Sequence, residues 1–202
     1  MGSSFDDVFK KESHLQDPQV DLNKGYLVYA IIAGIIYFIV STLEIITDIG
    51  YSIEEEQLFA ATLYTVIKSI SLIAGTFFFY GSFLIGKAFK SPLILITSTA
   101  FIIIWLLMGA IDGFIYVHEL HAREGYQIAR IVISGLLYTF IGAGYFLKRK
   151  QIGKVSKWLG LSGLMVGICL VTIILVLPGA IIYSVFEILL IILMYQLWSK
   201  EE

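Results

Sequence analysis

The sequence predicts an all-α fold, a polytopic transmembrane helix bundle of six spans. Three observations carry this. Of the 202 residues, 58% are hydrophobic and the mean hydropathy is +0.86, well above an ordinary soluble domain. Apolar runs of about 20 residues, the length a helix needs to cross hydrocarbon, recur along the chain. The cations outside those runs fall almost entirely in alternate loops.

Residues 1–24 read as a cytoplasmic tail. They are polar and mixed in charge, unlike a signal peptide, which has a basic start and then a short apolar core. Asp6 stands where the myristoylation pattern needs Ser or Thr. Ser4 and Asp7 have the spacing of a helix-capping pair, and Phe5, Val8 and Phe9 would then form one face of a short interfacial helix. A solvated tail is the alternative.

The transmembrane domain covers residues 25–198. Its six spans are Tyr26–Ile49, Leu58–Gly86, Pro92–Val117, Tyr126–Leu147, Trp158–Leu177 and Ala180–Trp198. The last two form one apolar stretch interrupted by Pro178-Gly179, a pair expected to end one helix and turn the chain. Residues 199–202 are the cytoplasmic C-terminus. Lys10, Lys11, Lys24, Lys87, Lys90, Lys148, Arg149, Lys150, Lys154, Lys157 and Lys200 lie on one side of this arrangement, and Arg123 alone on the other. That bias places both termini in the cytoplasm, in the plasma or cytoplasmic membrane. Trp158 and Trp198 fall at the inner interface, where indoles prefer to sit. A cysteine introduced among Glu54–Glu56 is therefore expected to react with an impermeant thiol reagent from outside, and one at Lys150 is not. The opposite labelling pattern would invert the topology.

Eight ionisable residues sit in or beside the spans, all toward the outer side: Glu44, Asp48, Lys68, Asp112, His118, His121, Arg130 and Glu187. A charge at the centre of a membrane helix costs about 2.5–3.5 kcal/mol on insertion scales, so it persists only if paired, solvated or used. Glu44, Asp112 and Arg130 are placed about one turn inside the outer helix ends, and Lys68 and Glu187 about 12–15 Å down. The inner halves of the spans carry no Asp, Glu, Lys, Arg or His. The pattern predicts a polar vestibule opening outward above an apolar floor, with Lys68 and Glu187 as a buried pair. Glu44, Asp112 and Arg130 would converge on a water-accessible site.

Helical phase agrees. Tyr37, Ser41, Glu44 and Asp48 share one face, as do Tyr64, Lys68, Ser71 and Gly75, and Gln127, Arg130, Ser134 and Tyr138. Ser184 and Glu187 share a face on the sixth span. These stripes should point into the bundle, since lipid penalises them. The fifth span has no charge, and Gly160, Gly163 and Gly167 suit it to close helix packing. Ala33–Tyr37 resembles Ser134–Tyr138 on a span of opposite direction, as an inverted repeat would produce. Nothing comparable joins the second and fifth spans.

Several chemistries are excluded or weakly supported. Net charge is −2, so no nucleic-acid partner is implied. Cys169 is the single cysteine, which rules out an internal disulfide and a thiolate metal cluster. His118 and His121 share a helix face if the third span extends beyond the membrane. With Asp112, Glu119 or Asp48 they could hold a divalent metal, although histidines at a loop are more often solvated residues. Their spacing misses the His-Glu-x-x-His zinc motif by one residue. No other cofactor is implied, and neither a nucleophile elbow nor a phosphate-binding glycine loop is present.

Three readings follow. The first is a small carrier or a proton- or cation-translocating protein, in which Glu44, Asp112 and Glu187 bind the ion while Lys68 and Arg130 supply counter-charge. Two features count against it: the inner half offers no exit path, and six short helices usually dimerise to make a carrier. The second is a non-catalytic subunit of a membrane complex. The third is a membrane-embedded enzyme, with or without a metal. All three have the lipid bilayer as partner, and a homo-oligomer or larger complex is expected.

Overall fold

The computed structural model describes residues 22–54, 61–117, 124–172 and 175–199. Among these are seven helices and no strand: α1 (Lys24–Glu54), α2 (Ala61–Ala88), α3 (Pro92–Val117), α4 (Glu124–Leu147), the single turn α5 (Arg149–Ile152), α6 (Lys154–Val171) and α7 (Val176–Ser199). All but α5 are long and apolar enough to cross a membrane. The chain is thus an all-α bundle of six spans, as expected, and a multi-pass membrane protein. The interfacial helix expected near Ser4–Phe9 lies outside the described residues.

Local signals explain the boundaries. Asn23 opens α1 by accepting the Tyr26 amide on its side-chain oxygen and the Leu27 amide on its carbonyl. Ser91 caps α3, and Pro92 occupies the first helical position, where a missing amide hydrogen is harmless. The α2–α3 turn is correspondingly tight: the Ser91 amide reaches the Gly86 carbonyl at 2.8 Å while Lys90 takes a left-handed φ of 48°. Between α5 and α6, Gly153 has φ 128°, a conformation that a side chain would strain.

One boundary differs from expectation. Pro178-Gly179 does not separate the last two spans. Helix α6 ends at Val171, and α7 has begun by Val176, so the pair sits inside its first turn. The Gly179 amide already donates to the Leu175 carbonyl. Proline is tolerated there because first-turn amides have no intrahelical acceptor in any case. Helix α1 is also longer than its span: 31 residues reach about 46 Å, against a hydrocarbon thickness of about 30 Å. Glu44 therefore stands ten residues before the helix end, about one and a half turns deeper along the helix than expected.

The six long helices form a closed ring in which each packs on its neighbours in the order α1, α2, α3, α4, α6, α7, and α7 returns to α1. The tightest seam joins α4 to α6. A methyl group on Gly142 would fall within 2.8 Å of backbone atoms of Gly160, Gly163 and Leu164, and one on Gly160 within 2.6 Å of the Phe146 amide. Gly160, Gly163 and Gly167 thus serve the close packing read from the sequence. The middle of the ring is aromatic. Phe79 and Phe101 stack at 4.4 Å with their planes 8° apart, Tyr37 meets Trp105 edge-on at 5.6 Å, and Tyr138 meets Phe101 and Phe186 edge-on. Outward-facing positions such as Tyr29, Ile39, Ile73, Ile96, Leu107 and Ile181 are exposed apolar side chains, which implies a lipid environment.

Candidate functional site

Many polar residues in the spans are satisfied by their own helix. Thr42, Thr76, Thr97, Thr99 and Thr139 each donate to the carbonyl four residues earlier, so they need no tertiary partner. Ser184 does likewise to Ala180. What remains is a compact polar layer in one half of the ring.

Its stripes face inward as expected. Tyr37 and Ser41 on α1, Ser71 on α2, Tyr138 on α4 and Glu187 on α7 are all buried. Glu44 and Lys68 retain only 7% of their surface each, and Glu187 1%. Arg130 and Ser134 on α4 are half-buried. The three charges are enclosed among helices.

The pairing is also different. Lys68 Nζ lies 3.5 Å from Glu44 Oε2, joining α2 to α1. Glu187 is not its partner. The Ser41 hydroxyl instead lies 3.4 Å from each Glu187 oxygen, shared with the Phe38 carbonyl of its own helix at 3.2 Å, and Glu187 interacts with Tyr183, one turn earlier on α7. The physical reason is ring order: α1 lies between α2 and α7, so a lysine on α2 meets the α1 carboxylate first. Similar depth on two helices does not make them neighbours. Glu44 and Glu187 are nonetheless close enough to act on each other electrostatically.

Tyrosines extend the layer. The Tyr37 and Tyr183 hydroxyls are 2.7 Å apart, and the Tyr138 and Tyr183 rings meet edge-on at 5.4 Å. Around one buried carboxyl, then, stand hydroxyls from α1, α4 and α7. Next to the ion pair, Lys68 Nζ lies 5.6 Å from the centre of the Trp105 ring, a cation–π contact. Two donors in this region, Ser71 Oγ and Trp105 Nε1, are buried and have no hydrogen-bond partner among the described residues. Buried donors of this kind are uncommon and ask for an acceptor.

Sequence reasoning missed Tyr183 and Trp105. Tyr183 was legible in principle, since it precedes Glu187 by four residues and must share its face. Trp105 carried no polar stripe to flag it. Of the remaining expected site residues, Asp48 lies on α1 and Asp112 on α3, with side chains outside what the structure describes. His118 and His121 lie outside the described residues, and with them the expected metal site. Among the described residues no group of three or more His, Cys, Asp or Glu could hold a metal. No known family, no curated protein and no solved structure matches this chain.

Proposed function

We propose that this protein is a small carrier or a proton- or cation-translocating membrane protein, with Glu187 and Glu44 as its ion-binding acids and Lys68 as the resident counter-charge. The observation that carries the reading is the setting of Glu187. Its carboxyl is enclosed at 1% exposure and met by hydroxyls, while the nearby cation is held by a different acid. Leaving that carboxyl to neutral donors suits a group that takes up and gives back a positive charge. The unpartnered donors Ser71 and Trp105 beside the ion pair supply further contacts for water or a bound ligand. Asp48, Asp112 and Arg130 would form the approach to this layer from the outer face, with both termini in the cytoplasm. The subunit reading asks for charges offered to partner helices, whereas here they close on one another inside the ring.

Glu187→Gln keeps size and hydrogen bonding but cannot bind a proton. It is expected to abolish pH- or cation-driven flux in proteoliposomes while the protein still purifies as a folded species. Asp112→Asn tests the approach in the same assay. A Glu187→Gln protein with parental flux, or a parent with no pH or cation dependence, would hand the layer to a structural role.

A further inference from the structure

The half of the ring without charges holds a second polar layer that no reading of charges reveals. Ser82 on α2 lies 2.7 Å from the Tyr145 hydroxyl on α4, and Ser98 on α3 donates to Ser82 at 2.9 Å. Ser156, in the first turn of α6, donates to the Tyr145 carbonyl at 2.8 Å. All four residues are fully buried. Three hydroxyls from three helices thus form a continuous chain, and Ser156 fastens the backbone of α4 beside it to the start of α6. On α2 and α3 this chain lies three residues, about 4.5 Å, below the stacked Phe79 and Phe101. On α4, Tyr145 lies two turns below Tyr138, on the same face. Tyr138 in turn touches both Phe101 and Tyr183. Two hydroxyl-bearing layers are therefore separated by one aromatic stack.

We propose that Ser98, Ser82 and Tyr145 are the second half of a proton path whose first half is Glu187 with Tyr183 and Tyr37, and that the Phe79–Phe101 stack is the barrier between them. The inference rests on the translocation reading and narrows its ion to a proton. Each hydroxyl is both donor and acceptor. A proton arriving on one lone pair releases the hydroxyl's own proton on the other side, and the last hydroxyl passes its proton to a water entering from the inner end of the bundle, so every O–H bond broken is replaced and no net charge stays on the chain. The protonated Glu187 carboxyl gives up its proton and becomes a carboxylate, facing Ser41, Tyr183, Tyr37 and Tyr138, with Glu44 and Lys68 alongside. When the stack parts, a water entering between Tyr138 and Tyr145 carries the proton across. A metal cation would need about six oxygen ligands in place of its hydration shell. Three hydroxyls already bonded to one another do not supply them.

The test uses the full chain in proteoliposomes containing a pH-sensitive dye, with a valinomycin-clamped potassium potential driving proton entry. Tyr145→Phe and the double variant Ser82→Ala/Ser98→Ala are each expected to lower proton flux by about tenfold or more. Proton uptake at Glu187 in detergent, read from its carboxylic infrared band, is expected to be unchanged in both. That readout separates a broken path from a damaged fold. Phe79→Ala is expected to raise the passive proton leak and leave sodium flux at background. Parental proton flux, within about twofold, in Tyr145→Phe and the serine double variant would overturn the path while leaving Glu187 as the ion-binding acid. A fall in flux matched by loss of the infrared band would likewise mark the chain as structural. Abolition of the parent's flux by Glu187→Gln is the separate check on the underlying reading, and sodium flux equal to proton flux would overturn the narrowing to protons.

Discussion

Replacing Lys68 by Met is expected to destabilise the protein by about 3–5 kcal/mol, because it removes the cation 3.5 Å from the buried Glu44 carboxylate. Glu44→Leu is expected to be as damaging, since it leaves the ammonium buried. The double variant Lys68→Met/Glu44→Leu should recover most of the loss, because a buried pair replaced by apolar side chains of similar volume is often neutral. Glu187→Leu combined with Lys68→Met should show no such recovery. Thermal unfolding in detergent, followed across the full cycle, measures the coupling. Simple additivity between Lys68 and Glu44 would mean that the 3.5 Å contact contributes nothing.

The second large effect concerns the α4–α6 seam. Gly142→Ala adds a single methyl group, yet its three nearest neighbours would be backbone atoms between 2.6 and 2.8 Å away. Backbone cannot rotate aside as a side chain can, so the helices must separate. The loss is expected at or above the upper end of the usual range for overpacking, about 1–3 kcal/mol. Gly163→Ala should behave similarly, since its methyl would meet the Gly142 Cα at 2.8 Å. Gly125→Ala is the control. A methyl there meets nothing within 4 Å, and alanine favours helix over glycine, so stability should hold or rise slightly. Equal effects at Gly142 and Gly125 would show that the seam is looser than its geometry.

The six spans were legible because a membrane imposes a length and a composition that no other constraint in this chain mimics. Inward-facing stripes were legible for the same reason: Tyr37, Ser41 and Glu44 repeat at helical spacing, and lipid forbids them the outside. The partner of Lys68 was not legible. Sequence yields depth along a helix but not the order of helices around a ring, and that order is what puts Glu44 ahead of Glu187. The α6–α7 boundary was misplaced because Pro178 reads the same one residue past a helix end or just inside a helix start. Ser82, Ser98 and Tyr145 escaped notice because hydroxyls cost little in an apolar span and so leave no conspicuous signal. Which of the buried residues would bind an ion was legible only as a set of acids. The hydroxyl setting of Glu187 depends on side chains 146 residues apart.

That separation has a consequence for how the molecule is made. The partners of α1 along the Tyr37–Ser41 stripe belong to α7, which is made after every other helix described above. Until it arrives, the Tyr37 hydroxyl on α1 faces a gap in the ring or the lipid itself, and Ser41 has only the Phe38 carbonyl of its own helix. The ring therefore closes along this seam only once α7 has been made. A nascent chain truncated before Val176 lacks Tyr183 and Glu187 together, and the Tyr37–Ser41 stripe is then an open polar seam in the ring.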